Sequence, residues 1–250
     1  MITEEQKEKN SKIFDKSEYI ILPERTHGKH SFPDLYVAKY RLRADNFVRE
    51  KAKSLGFRVK NAGRGLNGKT FIGEINWDQA LKLNLALWGE TLTLRRFIDF
   101  KELLEYGLQG GKVYHGTGKK IDDLREIREI YDDLFAKKDP LRQVHLDAYF
   151  VENESGKLTI NYSHYLENRK LVPRISEELE DCIMESEGLR SISFNPQGLP
   201  FYKEEIIYWH PIDNSVAGFC ADSGWADLDC DGNPLDSVPS LGVQHARKNF

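Results

Sequence analysis

The sequence has few of the features that define whole classes of proteins. It contains three cysteines in 250 residues, too few for a disulfide framework and without the spacing of a zinc site. No apolar run approaches the roughly 18 residues that span a bilayer. The net charge is −4 and the pI is near 6.0, so the basic excess that accompanies nucleic-acid binding is missing. We therefore expect no nucleic-acid partner and no membrane insertion.

The N-terminal segment also lacks the features of a secretory signal. The residues MITEEQKEKNSKIFDKSEY are charged throughout and contain neither the apolar core nor the cleavage site of a secretory signal. We expect no signal peptide, a cytoplasmic location and three reduced cysteines, with Cys182 and Cys230 as small buried residues. Residues 1–16 predict a polar helix.

The hydrophobic pattern places helices in the first half of the chain and strands in the second. Helical spacing covers residues 44–56, 76–90, 91–107 and 119–140, whereas 19–24 and 33–41 are typical of strands. Residues 144–166 alternate around NESGK, which indicates a β-hairpin. Helices followed by strands without βαβ alternation predict an α+β fold with a mostly antiparallel sheet. We expect a single domain over residues 1–250, with N-terminal strand and helix elements over 1–60.

One segment matches a nucleotide-binding motif in its letters. GRGLNGKT, residues 63–70, fits the P-loop pattern, whose chemistry needs a helix that starts at the lysine so that backbone N–H groups surround the phosphates. Here Thr70 leads into an extended segment, and helical residues begin only near Trp77. The sequence favours a glycine-rich surface loop and leaves a P-loop nucleotide binder as a weaker alternative.

Residues 226–237, ADLDCDGNPLDS, resemble a calcium loop only in part. Asp227, Asp229, Asp231 and Gly232 occupy the first positions of an EF-hand-type loop, but Val238 stands where the closing glutamate should be. The alternating residues before the loop predict a strand instead of a helix. We therefore expect no metal site here and no cofactor.

The seven histidines form no metal-ligand or catalytic constellation in the sequence. His145 and Asp147 share one face of a predicted strand, and no nucleophile in a strained turn accompanies them. This pattern predicts a solvated strand face. We expect no enzymatic activity.

The C-terminal segment lacks two residue types that are common elsewhere. Between Glu205 and Lys248 there is no lysine and no glutamate, although an ordinary acidic surface mixes both with aspartate. Six aspartates lie in that interval: Asp213, Asp222, Asp227, Asp229, Asp231 and Asp236.

This segment resembles a known family. The residues YWHP…SVAGFCADSGWADLDC…P…SLGVQHARK resemble the C-terminal variable region of diversity-generating retroelement variable proteins, which have a C-type lectin fold shared with formylglycine-generating-enzyme-like domains. The segments INWDQALKLN…GETLTLRRFIDFKELLEYG and YIILPERTHGKHSFPDLYVAKY are similar to earlier parts of the same proteins. The resemblance implies a single C-type-lectin-like domain with a variable region over residues 206–247.

The resemblance also implies which residues vary. In that family a reverse transcriptase rewrites template adenines, so that AAC or AAT codons become NNC or NNT, which cannot encode Lys, Glu, Gln, Met or Trp. Every residue assigned below to a variable position fits this rule except Trp225, which needs another adenine-containing codon, and Gln244 departs from the arginine common in the family. We call the implied constant residues the scaffold positions: Trp209, Pro211, Val216, Ala217, Phe219, Ala221, Ser223, Ala226, Leu228, Cys230, Pro234, Ser240, Leu241, Gly242 and Val243. We call the implied variable residues the display positions: His210, Ile212, Asp213, Asn214, Cys220, Asp222, Gly224, Trp225, Asp227, Asp229, Asp231, Gly232, Asn233, Leu235, Asp236 and Val238.

The alternation of residues agrees with this division. Strand period puts Phe219 and Leu228 on one face, while Cys220, Asp227 and Asp229 point outward. The resemblance thus implies a binding protein whose diversified face contacts an unidentified protein or surface ligand, in an oligomeric state that the sequence leaves open. Two alternatives remain at this point, namely an ordinary amphipathic hairpin rich in aspartate and a formylglycine-generating-type enzyme in which Cys220 and Cys230 bind copper.

Overall fold

A computed structural model of the protein describes residues 14–184, 193–200 and 207–248. Residues 1–13 of the predicted N-terminal helix lie outside the described residues, as does residue 206, the first of the variable region. The chain is a mixture of helices and mostly antiparallel sheets, in agreement with the predicted α+β class.

The four helices of the described ranges form where the sequence predicts them, because each begins at a side chain that caps it. The side chains of Asp45, Asn76, Thr93 and Asp123 accept a backbone hydrogen bond from the first turn. Within the described part of the chain, no helix has the length and apolar character needed to cross a bilayer. The helices are α1 (Asn46–Ser54), α2 (Trp77–Ala86), α3 (Leu94–Leu108) and α4 (Leu124–Phe135), and a 3-10 turn covers Lys16–Glu18.

Sixteen strands accompany the helices in the same ranges. In the first half of the chain they are β1 (Tyr19–Leu22), β2 (Arg25–His27), β3 (His30–Phe32), β4 (Leu35–Ala38), β5 (Lys60–Arg64) and β6 (Thr70–Gly73). The middle of the chain contains β7 (Arg142–Glu152), β8 (Leu158–Tyr162), β9 (Tyr165–Glu167), β10 (Lys170–Val172) and β11 (Ile175–Glu178). The last strands are β12 (Ile207–Trp209), β13 (Ser215–Ala221), β14 (Ala226–Gly232), β15 (Leu241–Gly242) and β16 (Ala246–Arg247).

The largest sheet has seven strands. Its order is β11-β8-β7-β13-β14-β12, and β15 pairs with β7. The β12–β14 and β15–β7 pairs are parallel, whereas the others are antiparallel. A second sheet, β1-β4-β16, joins the first and the last described strands through β4, and three two-stranded hairpins complete the described fold.

The main core lies between the seven-stranded sheet and helices α3 and α4. Its centre is a group of aromatic rings. The ring centroid of Phe219 of β13 lies 5.2 Å from that of Phe97 of α3 and 5.4 Å from that of Phe135 of α4. Even-numbered residues of β7, such as Val144 and Leu146, point into the same core and are fully buried. One face of β7 and β13 is thereby fixed against the helices, and the opposite face is left for other contacts.

The P-loop alternative does not agree with the fold. Residues 63–70 form the turn of the β5–β6 hairpin, in which Gly63 pairs with Phe71 and Arg64 pairs with Thr70. The chain continues from Thr70 as strand β6, so no helix N-terminus follows Lys69 to hold a phosphate in this described segment. The Lys69 ammonium instead lies over the Tyr40 ring.

The prediction of a solvated face on β7 was wrong. His145 and Asp147 are both buried, and they contact Ile75 before α2 and His164 in the loop after β8, respectively. His145 Nε2 donates to the Ile75 carbonyl at 2.8 Å, and burial lowers the pKa of His145 to about 4. Asp147 accepts two hydrogen bonds from His164.

Candidate binding surface

Strands β12, β13 and β14 carry the display and scaffold positions on two different faces. In the antiparallel β13–β14 pair, Phe219 is opposite Leu228 and Cys220 is opposite Asp227. Phe219 and Leu228 are buried in the main core. Because neighbouring residues of a strand point to opposite faces, Cys220 and Asp227 belong to the other face, which we call the outer face.

Solvent exposure separates the two sets of positions. Ten of the sixteen display positions are exposed and two are buried, whereas ten of the fifteen scaffold positions are buried and two are exposed. The exposed display positions are Ile212, Asp213, Asn214, Gly224, Trp225, Asp231, Asn233, Leu235, Asp236 and Val238. The exposed scaffold positions are Trp209 and Ser223.

The turn between β13 and β14 presents an aromatic side chain. The Asp222 carboxylate accepts hydrogen bonds from the backbone N–H groups of Gly224 at 2.7 Å and of Trp225 at 3.0 Å, and these bonds fix the turn. Trp225 is 45% exposed. A rigid turn thus holds a large exposed ring, which is a typical anchor for a protein partner.

The opposite end of β13 is tied to the end of β7. Asp213 Oδ1 accepts from the Glu152 backbone N–H at 2.8 Å, and the Asn214 side chain accepts from the Tyr149 hydroxyl. Asn214 has a φ of 58°, in the left-handed region that asparagine tolerates better than most residues. These two display positions therefore have a structural role in addition to their exposure.

A shallow groove of about 180 Å³ brings display positions from separate segments together. It lies on the outer face and is bounded by β7, β13, β14 and the segment that leads to β15. Gln143 and His145 of β7 form part of its floor. Six display positions line it: Cys220, Asp229, Gly232, Asn233, Asp236 and Val238.

Two display positions are on the predicted face but are not exposed as expected. Cys220 retains 7% of its surface and Asp227 retains 8%. Both side chains are short and lie between longer ones on the adjacent strands, because Gln143 of β7 is paired with Cys220 and Ile207 of β12 is paired with Asp227. The Gln143 amide donates to Cys220 Sγ at 2.8 Å. Side-chain changes at these two positions must fit an enclosed space.

The carboxylates of β14 lack positive partners among the described residues. Burial raises the pKa of Asp227, and Asp227 Oδ1 has no hydrogen-bond partner in that part of the chain. Burial, together with the neighbouring Asp231, raises the pKa of Asp229 to about 7. No group of His, Cys, Asp or Glu within the described chain has the geometry of a metal site.

Of the two glycines among the display positions, Gly232 has less room for a side chain than Gly224. A Cβ atom added to Gly232 would lie 3.0 Å from the Val216 carbonyl oxygen. At Gly224 the nearest atom to an added Cβ is the Asp222 carboxylate at 3.4 Å, an ordinary contact. The two glycines therefore differ in the side chains that they accept.

The two cysteines of the copper alternative do not face each other. Cys220 is on the outer face, whereas Cys230 is fully buried in the main core on the same face as Leu228. Burial raises the pKa of both thiols, which disfavours the thiolate form needed by a nucleophile or a metal ligand. Both thiols are free, as is that of Cys182, which is only partly buried.

Sequence reasoning missed several residues of the outer face. Gln143 forms part of the groove floor, and Tyr149 holds Asn214, although both belong to a distant strand. The available signal was the alternation in β7, which puts Gln143, His145, Asp147 and Tyr149 on one face. Trp209 was assigned to the scaffold but is 42% exposed.

Comparisons of this chain with protein-family models, with curated proteins and with solved structures find no match.

Proposed function

We propose that this protein is a binding protein with a C-type-lectin-like scaffold, whose outer face at β12, β13 and β14 presents retroelement-diversified residues to a protein or surface ligand. The observation that carries the proposal is the separation of exposure, because ten of the sixteen display positions are exposed and ten of the fifteen scaffold positions are buried. Surface positions tolerate substitution at a cost of usually less than about 0.5 kcal/mol, whereas core positions do not.

The character of the exposed residues supports recognition of a partner. The ten large apolar side chains that are exposed in the described chain include four at display positions, namely Ile212, Trp225, Leu235 and Val238. Leu235, at 76%, has the largest exposed fraction of these side chains. Exposed apolar groups among polar neighbours are typical of interaction sites, and a rigid aromatic on a fixed turn resembles the anchors of paratopes.

The arrangement of the strands also fits the scaffold in this proposal. Pairing of β4 with both β1 and β16 links the two ends of the described chain, and the main core holds the central sheet against helices α3 and α4 on one face. A diversified segment placed on the other face can change without altering the contacts with α3 and α4. The display positions at the ends of β13 and β14 lie in loops, where binding residues are commonly found on a rigid scaffold.

A paired library experiment tests the proposal. One library varies six display positions with NNC and NNT codons, and a matched library varies six scaffold positions of β13 and β14 in the same way. When the clones are presented on a surface and treated with protease, we expect most clones of the first library and few of the second to resist cleavage. Selection of the first library against unrelated proteins should then yield binders, and equal losses of folding in the two libraries would contradict the proposal.

The gene offers a second and independent test. A near-repeat of its last hundred or so bases, with adenines at the codons of the display positions, should lie beside a reverse transcriptase gene. A repeat whose differences are spread evenly over display and scaffold codons would count against diversification, even if the surface itself binds a partner.

A further inference from the structure

A second cavity, distant from the turn that presents Trp225, has the properties of a small-molecule site. It has a volume of about 440 Å³ and is lined by residues of α2, β7, β8, β10 and the loop after β8. One of its walls is formed by the rings of Trp77 and Tyr149, which contact each other with their centroids 5.8 Å apart and their planes inclined by 33°. We call it the aromatic cavity. Its volume is within the range of ligand pockets.

The Trp77 ring is held in place by its surroundings. Its indole N–H donates to the Leu146 carbonyl at 2.8 Å, and its apolar surface packs with Leu81 and Val216. Trp77 therefore provides a fixed aromatic wall. A ring that packs against such a wall binds without the entropic cost of ordering the protein side chain.

A buried carboxylate fixes the orientation of a histidine in this cavity. Asp147, in the middle of β7, accepts from the His164 backbone N–H at 2.9 Å and from His164 Nδ1 at 2.5 Å. Because a carboxylate only accepts hydrogen bonds, Nδ1 carries the proton, and Nε2 of the neutral ring is then an acceptor. His164 also packs edge-on against Trp77, with ring centroids 5.2 Å apart.

Two polar groups in the cavity have no partner among the described residues. His164 and Asn161 each retain only 8% of their surface. Within those residues, neither His164 Nε2 nor the Asn161 side-chain amide makes a hydrogen bond, and neither is a fully enclosed atom. Both groups therefore reach the open space of the cavity. Nearly buried polar groups are normally hydrogen-bonded, so this pair is ready to bind a ligand.

The charged residues of the cavity indicate the sign of the ligand. Lys82 and Asp78 neutralise each other in an ion pair of 2.8 Å. Lys170 of β10 is exposed and makes no ion pair with any residue that the structure describes. The lining thus offers one cation without an ion-pair partner among the described residues, the exposed Lys170, whereas the Asp147 carboxylate lies behind His164.

We propose that the aromatic cavity binds a small planar ring compound that carries an anionic group and a ring N–H or hydroxyl. The ring packs against the wall that Trp77 and Tyr149 form together, its donor binds His164 Nε2, the Asn161 amide completes the polar edge, and Lys170 pairs with the anion. The proposal does not depend on diversification of the C-terminal segment. The residues that line the cavity are all outside the display and scaffold positions.

Titration of the full chain with orotate and with 4-hydroxybenzoate tests this proposal. Both probes are planar anions with a hydrogen-bond donor, and the Trp77 indole N–H signal in NMR spectra reports on the cavity. We expect a saturable shift for at least one of them, and binding about tenfold weaker for its neutral methyl ester and for cyclohexanecarboxylate. An absence of saturable shifts up to on the order of 10 mM would overturn the proposal.

Variants separate binding in the cavity from binding elsewhere. Lys170→Ala removes an exposed side chain without effect on folding and should weaken binding a few-fold, whereas Lys119→Ala, a matched loss of charge in a distant turn, should change nothing. Asn161→Ala should weaken binding about tenfold, with its fold checked by urea denaturation. Equal affinity of the parent, Lys170→Ala and Asn161→Ala proteins would place the probe outside the aromatic cavity and overturn the proposal.

Discussion

The two faces of β13 and β14 are built from the same backbone but differ in the side chains that they can accept. On the inner face, Phe219 and Leu228 fill space that α3 and α4 enclose, so their shape matters. On the outer face, Asp229 and Asp231 retain contact with solvent and lack cationic partners among the described residues, so their identity is not required by packing. The two-residue period of a strand thus lets one segment specify the fold and present a changeable surface at the same time.

The largest expected difference between the two faces is in stability. Leu228→Ala or Phe219→Ala should each lower the free energy of unfolding by about 2 to 5 kcal/mol, because each leaves a cavity in the main core. Trp225→Ala, on the outer face, should change it by less than about 0.5 kcal/mol. Urea denaturation of the three variants measures this contrast. A loss at Trp225 as large as that at Leu228 would show that the division into faces is wrong.

The two glycines of the display set should differ by a smaller amount. Gly232→Ala should cost about 1 to 3 kcal/mol, since its Cβ would lie 3.0 Å from the Val216 carbonyl oxygen and the strands would have to shift. Gly224→Ala, the matched change in the exposed turn, should remain within about 0.5 kcal/mol of the parent. Thermal unfolding of both variants compares them directly. Equal midpoints would mean that the β13–β14 pair relaxes around a side chain at 232.

The contribution of the outer face to the free energy of unfolding should also depend on pH, unlike that of the inner face. The pKa of Asp229 is raised to about 7 in the folded state, above its value of about 3.9 in the unfolded chain. Between those values the folded state binds more protons, so this group makes stability fall as pH rises from about 4 to 7 and then level off. Solvent screening reduces the size of the effect.

The Asp229→Asn variant measures that contribution. We expect its advantage in urea midpoint over the parent to grow from pH 4 to pH 7 and to stay constant above pH 7. Asp236→Asn, at an exposed display position, is the matched control and should follow the parent. An advantage of Asp229→Asn that is independent of pH would contradict the raised pKa.

Local signals predicted the helices, the β7–β8 hairpin and the two faces of β13 and β14. Capping residues such as Thr93 and Asn76 act within one turn, so the sequence alone reveals where α3 and α2 begin. The burial of His145 and Asp227 was not predictable, because their cover comes from residues far away in the chain. The polar edge of the aromatic cavity was missed for the same reason, since Asn161 comes opposite Tyr149 only when β8 pairs with β7.

The smallest expected effect concerns calcium and the aspartates of β14. Asp227 and Asp229 lie in an extended strand, where alternate Cα atoms are separated by roughly 6.6 Å, whereas a calcium loop must curve so that its carboxylates converge on one ion. The urea midpoint of the parent should therefore be the same with calcium and with chelator.

A combined replacement of Asp222, Asp227, Asp229 and Asp231 by asparagine should keep the fold, because the side-chain oxygen of an asparagine in the β13–β14 turn can still accept the bonds that fix the turn. It should also raise stability slightly, since carboxylates on neighbouring strands repel one another. A calcium-dependent midpoint in the parent that disappears in the combined variant would restore the metal loop and remove the basis for a freely changeable outer face.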